Sequence, residues 1–183
     1  MRIITGIYKG RRFDIPRTFK ARPTTDFAKE SIFGVMNGYL DFEGAEALDL
    51  FAGTGSISLE LLSRGCSSVV SVEADRDHYA FIRQCLDKLG ATQCTAIRGD
   101  VFRFLKSCRR RFDFVFADPP YDLDRLPQLP ALVMEGNVLK PGGVFVFEHG
   151  RRNDFSSLPG FVEHRSYGAV NFSIFRAAAP EGE

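Results

Sequence analysis

The run Ala47-Leu48-Asp49-Leu50-Phe51-Ala52-Gly53-Thr54-Gly55-Ser56-Ile57-Ser58-Leu59-Glu60 constrains this chain more than any other stretch. An apolar run, two glycines and a renewed apolar period read as a buried strand that turns and opens a helix. Such a junction aims backbone N–H groups and the positive end of a helix at one point, where a charged small molecule can sit. A dinucleotide-binding turn would carry a third glycine, G-x-G-x-x-G, where this chain has Ser58. The glycine pair alone is also compatible with a tight turn that only packs helix on strand. Asp49 adds the distinguishing feature, because a carboxylate ahead of the turn favours a ligand with positive charge. S-adenosylmethionine carries an ammonium and a sulfonium; a pyrophosphate carries neither.

Downstream, short apolar strands alternate with helical stretches. Ser68 to Val72 forms a strand closed by Glu73, Ala74 to Leu89 a helix capped by Gly90, and Cys94 to Arg98 a third strand leading to Gly99-Asp100-Val101. Phe112 to Ala117 has the composition of a central strand covered on both faces. A helix interrupted by Pro127 and Pro130 is expected over Asp124 to Glu135, then a turn over Leu139 to Gly143 and a fifth strand from Val144 to Glu148. Phe161 to Gly168 and Val170 to Arg176 read as a closing antiparallel pair. This alternation predicts an α/β fold with an open, mostly parallel sheet, whose ligands collect at the carboxyl ends of the strands. Asp49, Glu73, Asp100 and Asp118 each fall at such an end, and together they predict one site. Glu73 is placed to accept from ribose hydroxyls. Asp100, with the Val101 N–H, suits an adenine amine, or it caps the helix that follows.

Upstream, Arg2 to Ile15 reads as a short β-hairpin turning at Lys9-Gly10-Arg11, and Arg22 to Asp26 as an extended segment ending at a helix cap. The helix is expected to run to about Asn37. Charge separates along the chain. The first 25 residues hold seven basic side chains and one acid, against 17 basic and 22 acidic groups in the remainder. A basic arm on an acidic body suits a polyanionic partner, with Lys9, Arg11, Arg12 and Arg22 as candidate contacts, or else is a solvated hairpin. The expected division is therefore a basic arm over residues 1–25, a catalytic core over 26–176 and a loose tail over 177–183. Four cysteines without C-x-x-C spacing and three scattered histidines predict neither a metal site nor a disulfide framework. No apolar run is long enough to span a bilayer and the first residues do not form a signal peptide, so a cytoplasmic location and no membrane partner are expected.

Asp118-Pro119-Pro120-Tyr121 follows the central strand directly. Two prolines donate no amide hydrogens and stiffen the backbone, leaving the Asp118 carboxylate and the Pro119 carbonyl as fixed acceptors. An exocyclic amine conjugated to a ring is a poor nucleophile. Two acceptors gripping its hydrogens let the nitrogen pyramidalise and aim its lone pair at an electrophilic methyl group. Tyr121 offers a face for an unstacked base, a role that Tyr121→Phe would keep.

Leu48 to Gly55 with Asp118 to Tyr121 resembles the signature of S-adenosylmethionine-dependent methyltransferases that modify exocyclic nitrogens. Arg2-Ile3-Ile4-Thr5-Gly6 with Lys9-Gly10-Arg11, Arg22-Pro23-Thr24-Thr25-Asp26 and Ser63-Arg64-Gly65 narrow the likeness. Together they are similar to the bacterial 16S ribosomal RNA guanine-N2 methyltransferases of the small subunit. The resemblance implies a Rossmann-like class I methyltransferase fold with a seven-stranded sheet, S-adenosylmethionine as donor, no metal, and 16S rRNA in the 30S subunit or its assembly intermediates as partner. A monomer is expected. It further implies cofactor contacts from Thr24, Thr25, Asp49, Phe51, Ala52, Gly53, Thr54, Gly55, Glu73, Ala74, Asp100 and Val101, and catalysis at Asp118, Pro119, Pro120 and Tyr121. Phe27 and Lys29 depart from the family's usual arginines and Cys85 from its usual asparagine. The rival readings are an adenine-N6 methyltransferase and a non-catalytic RNA-binding assembly factor.

Overall fold

The computed structural model describes residues 1–20, 24–180 and 182. Helix α1 (Asp26–Met36) starts where Thr25 accepts a hydrogen bond from the Ala28 amide at 3.2 Å. Strand β1 (Glu46–Leu50) runs through the glycine turn into α2 (Ser56–Ser63). Then follow β2 (Ser68–Glu73), α3 (Arg76–Leu89), β3 (Cys94–Arg98), α4 (Val101–Ser107) and β4 (Phe112–Ala117). A 3-10 turn at Leu126–Gln128 precedes α5 (Leu129–Glu135), and β5 (Leu139–His149), β6 (Phe161–Tyr167) and β7 (Val170–Arg176) complete the chain. Pro127 and Pro130 sit in the first turns of their segments, where a missing N–H leaves no helical bond unmade.

The seven strands form one sheet in the order β3-β2-β1-β4-β5-β7-β6. Strands β1 to β5 are parallel, and β7 runs antiparallel between β5 and β6. Alternate residues feed two cores. Ala47, Val69, Phe114 and Phe116 pack under α1 to α3, whereas Leu48, Val70, Val115 and Ala117 pack under α4 and α5. The order reverses between β1 and β4, and at such a point the connections leave on opposite faces and open a crevice at the carboxyl ends.

Two expectations need correction. The turn expected at Leu139 to Gly143 lies inside a continuous 11-residue β5. Gly142, at φ +75°, donates its amide to Ala178 O, and Gly143 O accepts from Ala177, so the chain kinks while staying paired. The amino-terminal hairpin is present but shorter than expected, with one antiparallel bridge, Arg2 to Arg12, and backbone bonds from the Ile3 amide to Arg11 O, the Gly10 amide to Ile3 O and the Phe13 amide to Met1 O. Its loop is also held by the core. The Ile4 and Thr5 amides donate to the two Glu60 carboxylate oxygens at 2.9 and 3.0 Å, and Ile7 and Tyr8 bond to Ser63. Ile3 and Phe13 are buried in the same core as α1 to α3.

Candidate active site

The spatial order of β3, β2, β1 and β4 lines up Asp100, Glu73, Asp49 and Asp118 along one rim. Phe51 follows β1 at φ +58°, a left-handed conformation unusual for a non-glycine residue, and Gly53 and Gly55 continue the turn at φ +58° and +80°. Gly55 has a second reason to lack a side chain. A Cβ there would stand 3.0 Å from Cγ1 of Ile82 on α3, so the close seat of α3 needs glycine.

A cleft opens over this turn, and Thr24, Asp49, Gly53, Thr54, Phe116 and Asp118 are among the residues that line it. Residues of the glycine turn and the carboxylate that follows β4 thus share one space. Phe51 and Ala52 complete that wall, and Ser56, Ile57 and Phe116 are lining residues that sequence reasoning did not single out. A more voluminous groove lies at the other end of the sheet, between Ile7, Asn37, Asp41 and Arg64, and holds none of the rim carboxylates.

Asp49 is 1% exposed and accepts from the Ser58 amide at 3.1 Å and the Ser58 hydroxyl at 2.6 Å. Ser58 in turn shares a hydrogen bond with Ser71. Burial pushes the Asp49 carboxyl up to about 7, the Ser58 bonds oppose that, and the charge of Glu73 adds to it. Glu73 accepts from the Gly53 amide at 2.7 Å and from the Asp75 amide at 3.1 Å, so it also shapes the glycine turn. Ala74, beside it, is exposed at the exit of β2. Asp100 caps α4 through the Arg103 amide at 3.0 Å, and Val101 is buried in the helix's first turn. Thr24 lines the cleft, while the Thr25 hydroxyl is occupied in capping α1.

Asp118 is raised well above the ordinary carboxylate range, first by burial and then by the charges of Glu148 and Asp49. Pro119 is buried and Pro120 exposed. Tyr121 is 48% exposed, and its hydroxyl donates to Glu148 Oε1 at 2.9 Å. The hydroxyl therefore anchors the ring and leaves a face open. Glu148 is a site residue absent from the rim predicted above. It ends a parallel strand as Asp49 and Asp118 do, and that same signal could have found it.

Among the predicted RNA contacts, Arg22 lies outside the described residues. Lys9, Arg11 and Arg12 are exposed, but they stand away from the cleft. Arg11 donates to the carbonyl of Lys88, in the last turn of α3, at the amino-end side of the sheet. Other cations take the rim. Arg151 and Arg152 are exposed in the turn after β5, next to Gly150, where an added Cβ would touch the Tyr121 ring at 3.5 Å. Phe19 packs on His78 and Phe81 of α3, and Arg17 and Lys20, exposed, neighbour it in the chain. Lys29 is no surface cation. It is 1% exposed and bonds to Arg2 O, Ser56 Oγ and Glu60.

Among the described residues no group of acidic, cysteine or histidine side chains is arranged to hold a metal, and no helix is long and apolar enough to cross a membrane. The four cysteines are free thiols.

Residues 1–176 match the family model described as conserved hypothetical protein 95. The ribosomal RNA small subunit methyltransferase D of Haemophilus influenzae is 34% identical over 182 residues, covering 96% of this chain and 93% of that protein. The Escherichia coli K12 protein of the same name is 28% identical over 186 residues, covering 100% of this chain and 92% of its own length. Among solved structures, a hypothetical protein of Thermus thermophilus superposes with a TM-score of 0.83 at 26% identity, covering 96% of this chain and 98% of that one. By these matches over nearly its whole length, the chain belongs to the conserved hypothetical protein 95 family and with the small-subunit ribosomal RNA methyltransferases D, which are S-adenosylmethionine-dependent class I methyltransferases.

Proposed function

We propose that this chain moves a methyl group from S-adenosylmethionine to the exocyclic N2 amine of a guanine in 16S ribosomal RNA. The acceptor would be the 30S particle or its assembly intermediates, and the enzyme would act as a cytoplasmic monomer. One observation carries the reading: Asp118 and the glycine turn after β1 line the same cleft. The donor set suits the cofactor, since Asp49 is a nearly fully buried carboxylate in a cleft with Asp118, and among the described residues no lysine or arginine lines it.

The bound cofactor supplies an activated methyl on a sulfonium, so no further electrophile is needed. Asp49 and the turn from Phe51 to Gly55 hold its methionine part, with Thr24 and Thr25 alongside. Glu73 and Ala74 face the ribose, and Asp100 and Val101 the adenine. Asp118 and the Pro119 carbonyl accept from the two amine hydrogens, which directs the nitrogen lone pair into the cleft. Preorganised acceptors of this kind stabilise the charge that develops on nitrogen. Pro120 keeps that backbone stiff, and Tyr121 stacks on the extruded base.

The test is methyl transfer to 30S particles from cells lacking the modification, followed by digestion to nucleosides and mapping. N2-methylguanosine at one position is the expected product. N6-methyladenosine would transfer the assignment to the adenine-modifying enzymes, and no transfer would leave a binding factor on the same fold.

A further inference from the structure

The register of β4 and β5 sets Ala117 opposite Phe147, so the next residues, Asp118 and Glu148, leave adjacent parallel strands side by side. Neighbouring strands run about 4.8 Å apart, which brings the two carboxyl groups within reach of each other. Glu148 is buried. Its Oε1 accepts from the Tyr121 hydroxyl at 2.9 Å, and its Oε2 has no partner among the described residues. A buried carboxylate oxygen without a donor is costly, and two carboxylates side by side in a poorly solvated site repel. One proton between them relieves both.

We infer that Glu148 is a positioning residue that shares one proton with Asp118, so that the pair, and not Asp118 alone, receives the proton released by the methylated amine. The inference rests on the methyl-transfer reading for the amine, but the shared proton belongs to the free protein. The groups facing the pair agree with it. Asp49 approaches Asp118 from β1 and adds negative charge, and Tyr121 approaches Glu148 from the loop after β4. Across β7, Glu148 is opposite Phe172, which carries no charge. The ring of His149 is turned to Ser173 and the Gly150 carbonyl. Burial raises both carboxyl groups, and the proximity of Glu148 raises Asp118 further.

In the step itself the N–C bond forms as the S–C bond breaks, and sulfur leaves as a neutral thioether. The nitrogen then carries a positive charge and two hydrogens, and gives one hydrogen as a proton to the cleft-facing oxygen of Asp118. The pair passes from one proton to two, and returns to one by releasing a proton to water. Its second proton has Glu148 as a neighbour in which to settle, so Asp118 is cleared for the next amine.

Carbon-13 NMR of labelled carboxyl groups in the full-length protein tests the shared proton. Two macroscopic steps are expected for the pair, the upper one well above the carboxylate range. Glu148→Gln keeps a side-chain oxygen for Tyr121 and removes the titrating neighbour. The upper step should vanish, kcat should fall about tenfold, and KM and S-adenosylhomocysteine affinity should stay within about twofold. Glu148→Asp should restore part of kcat. If Glu148→Gln does not fold, Tyr121→Phe serves, since it removes one donor to Glu148 and should move the upper step higher. A single-step titration in the parent protein, or an upper step unmoved in the variants, overturns the shared proton. An unchanged kcat in Glu148→Gln overturns its part in catalysis. Two-step titration in a protein that methylates no guanine would instead fault the methyl-transfer reading and leave the shared proton standing.

Discussion

The Asp118 amide donates to the Leu50 carbonyl at 3.3 Å, which ties the exit of β4 to the exit of β1. That bond sets the backbone of the acceptor carboxylate beside the start of the glycine turn. Asp118→Ala keeps the amide and removes the carboxylate. It should lower single-turnover methyl transfer by about 10²–10³, the usual effect of losing one preorganised polar group, while S-adenosylhomocysteine binds within a few-fold of the parent. Asp118→Asn retains one acceptor oxygen and should fall between the two. Rapid-quench transfer of a labelled methyl group to 30S particles measures both.

Asp49 predicts a pH dependence that does not require turnover. Its carboxyl titrates at about 7 in the folded protein, above its ordinary value, so the folded state holds this proton more tightly than the unfolded chain. The stability tied to it is present in full below about pH 4 and is lost as pH rises through about 7. A ligand ammonium prefers the ionised form and expels the proton. Affinity for S-adenosylhomocysteine should therefore rise with pH, approaching tenfold per unit, and level off above about 7. Asp49→Asn should bind more weakly with a flat profile. Calorimetry at several pH values in buffers of different ionisation enthalpy reads the affinity and the proton release together.

Lys29 is predicted to be structural. Its ammonium lies 3.5 Å from Glu60 Oε2, and Glu60 also holds the Ile4 and Thr5 amides and Arg64. Burial lowers the Lys29 pKa while Glu60 opposes the shift, as a paired interior cation requires. Lys29→Met leaves a buried carboxylate with Arg64 as its remaining ion-pair partner and should cost about 3 kcal/mol in urea unfolding. The loss should be greatest in protection of the first 13 residues against hydrogen exchange. RNA affinity, measured where the variant is folded, should be unchanged.

What could be read from the chain follows how local each signal is. Thr25 and Gly90 mark helix ends within a few residues and stand where the pattern places them, while Asp75 caps α3 so that it begins at Arg76, two residues inside its expected start at Ala74. The four rim carboxylates were legible for the same reason, because each sits at the end of a short apolar run. Lys29 gives no such signal. Its burial depends on a carboxylate 31 residues away on α2, and nothing near it marks it as interior. Glu148 carries the same end-of-strand signal, and the β4 and β5 register adds what the chain does not show, its neighbour Asp118. The glycine pair in β5 reads locally as a turn, and only pairing with Ala177 and Ala178 keeps it extended.

The basic arm shows most sharply what distance adds, and it leads to a prediction on RNA contact. Charge alone groups Lys9, Arg11 and Arg12 with the substrate, and the structure carries their loop along α2 and α3 to the far end of the sheet. α3 has 14 residues, so at 1.5 Å per residue the arm's tip stands about 20 Å from the rim. Arg151 and Arg152, by contrast, are exposed and follow Gly150, whose backbone packs close to the Tyr121 ring. A short stem-loop containing the target guanine can reach the rim pair and not the tip; a whole 30S particle can reach both. Arg151→Ala with Arg152→Ala should reduce the salt slope of binding by about 1–2 for either substrate, since each lost phosphate contact removes about 0.7–0.9. Lys9→Ala with Arg11→Ala and Arg12→Ala should flatten the slope for the particle and leave the stem-loop unaffected. Binding of both RNAs across a salt series distinguishes the two sites, and equal effects of the two variants on the stem-loop would place the tip beside the cleft, against the geometry.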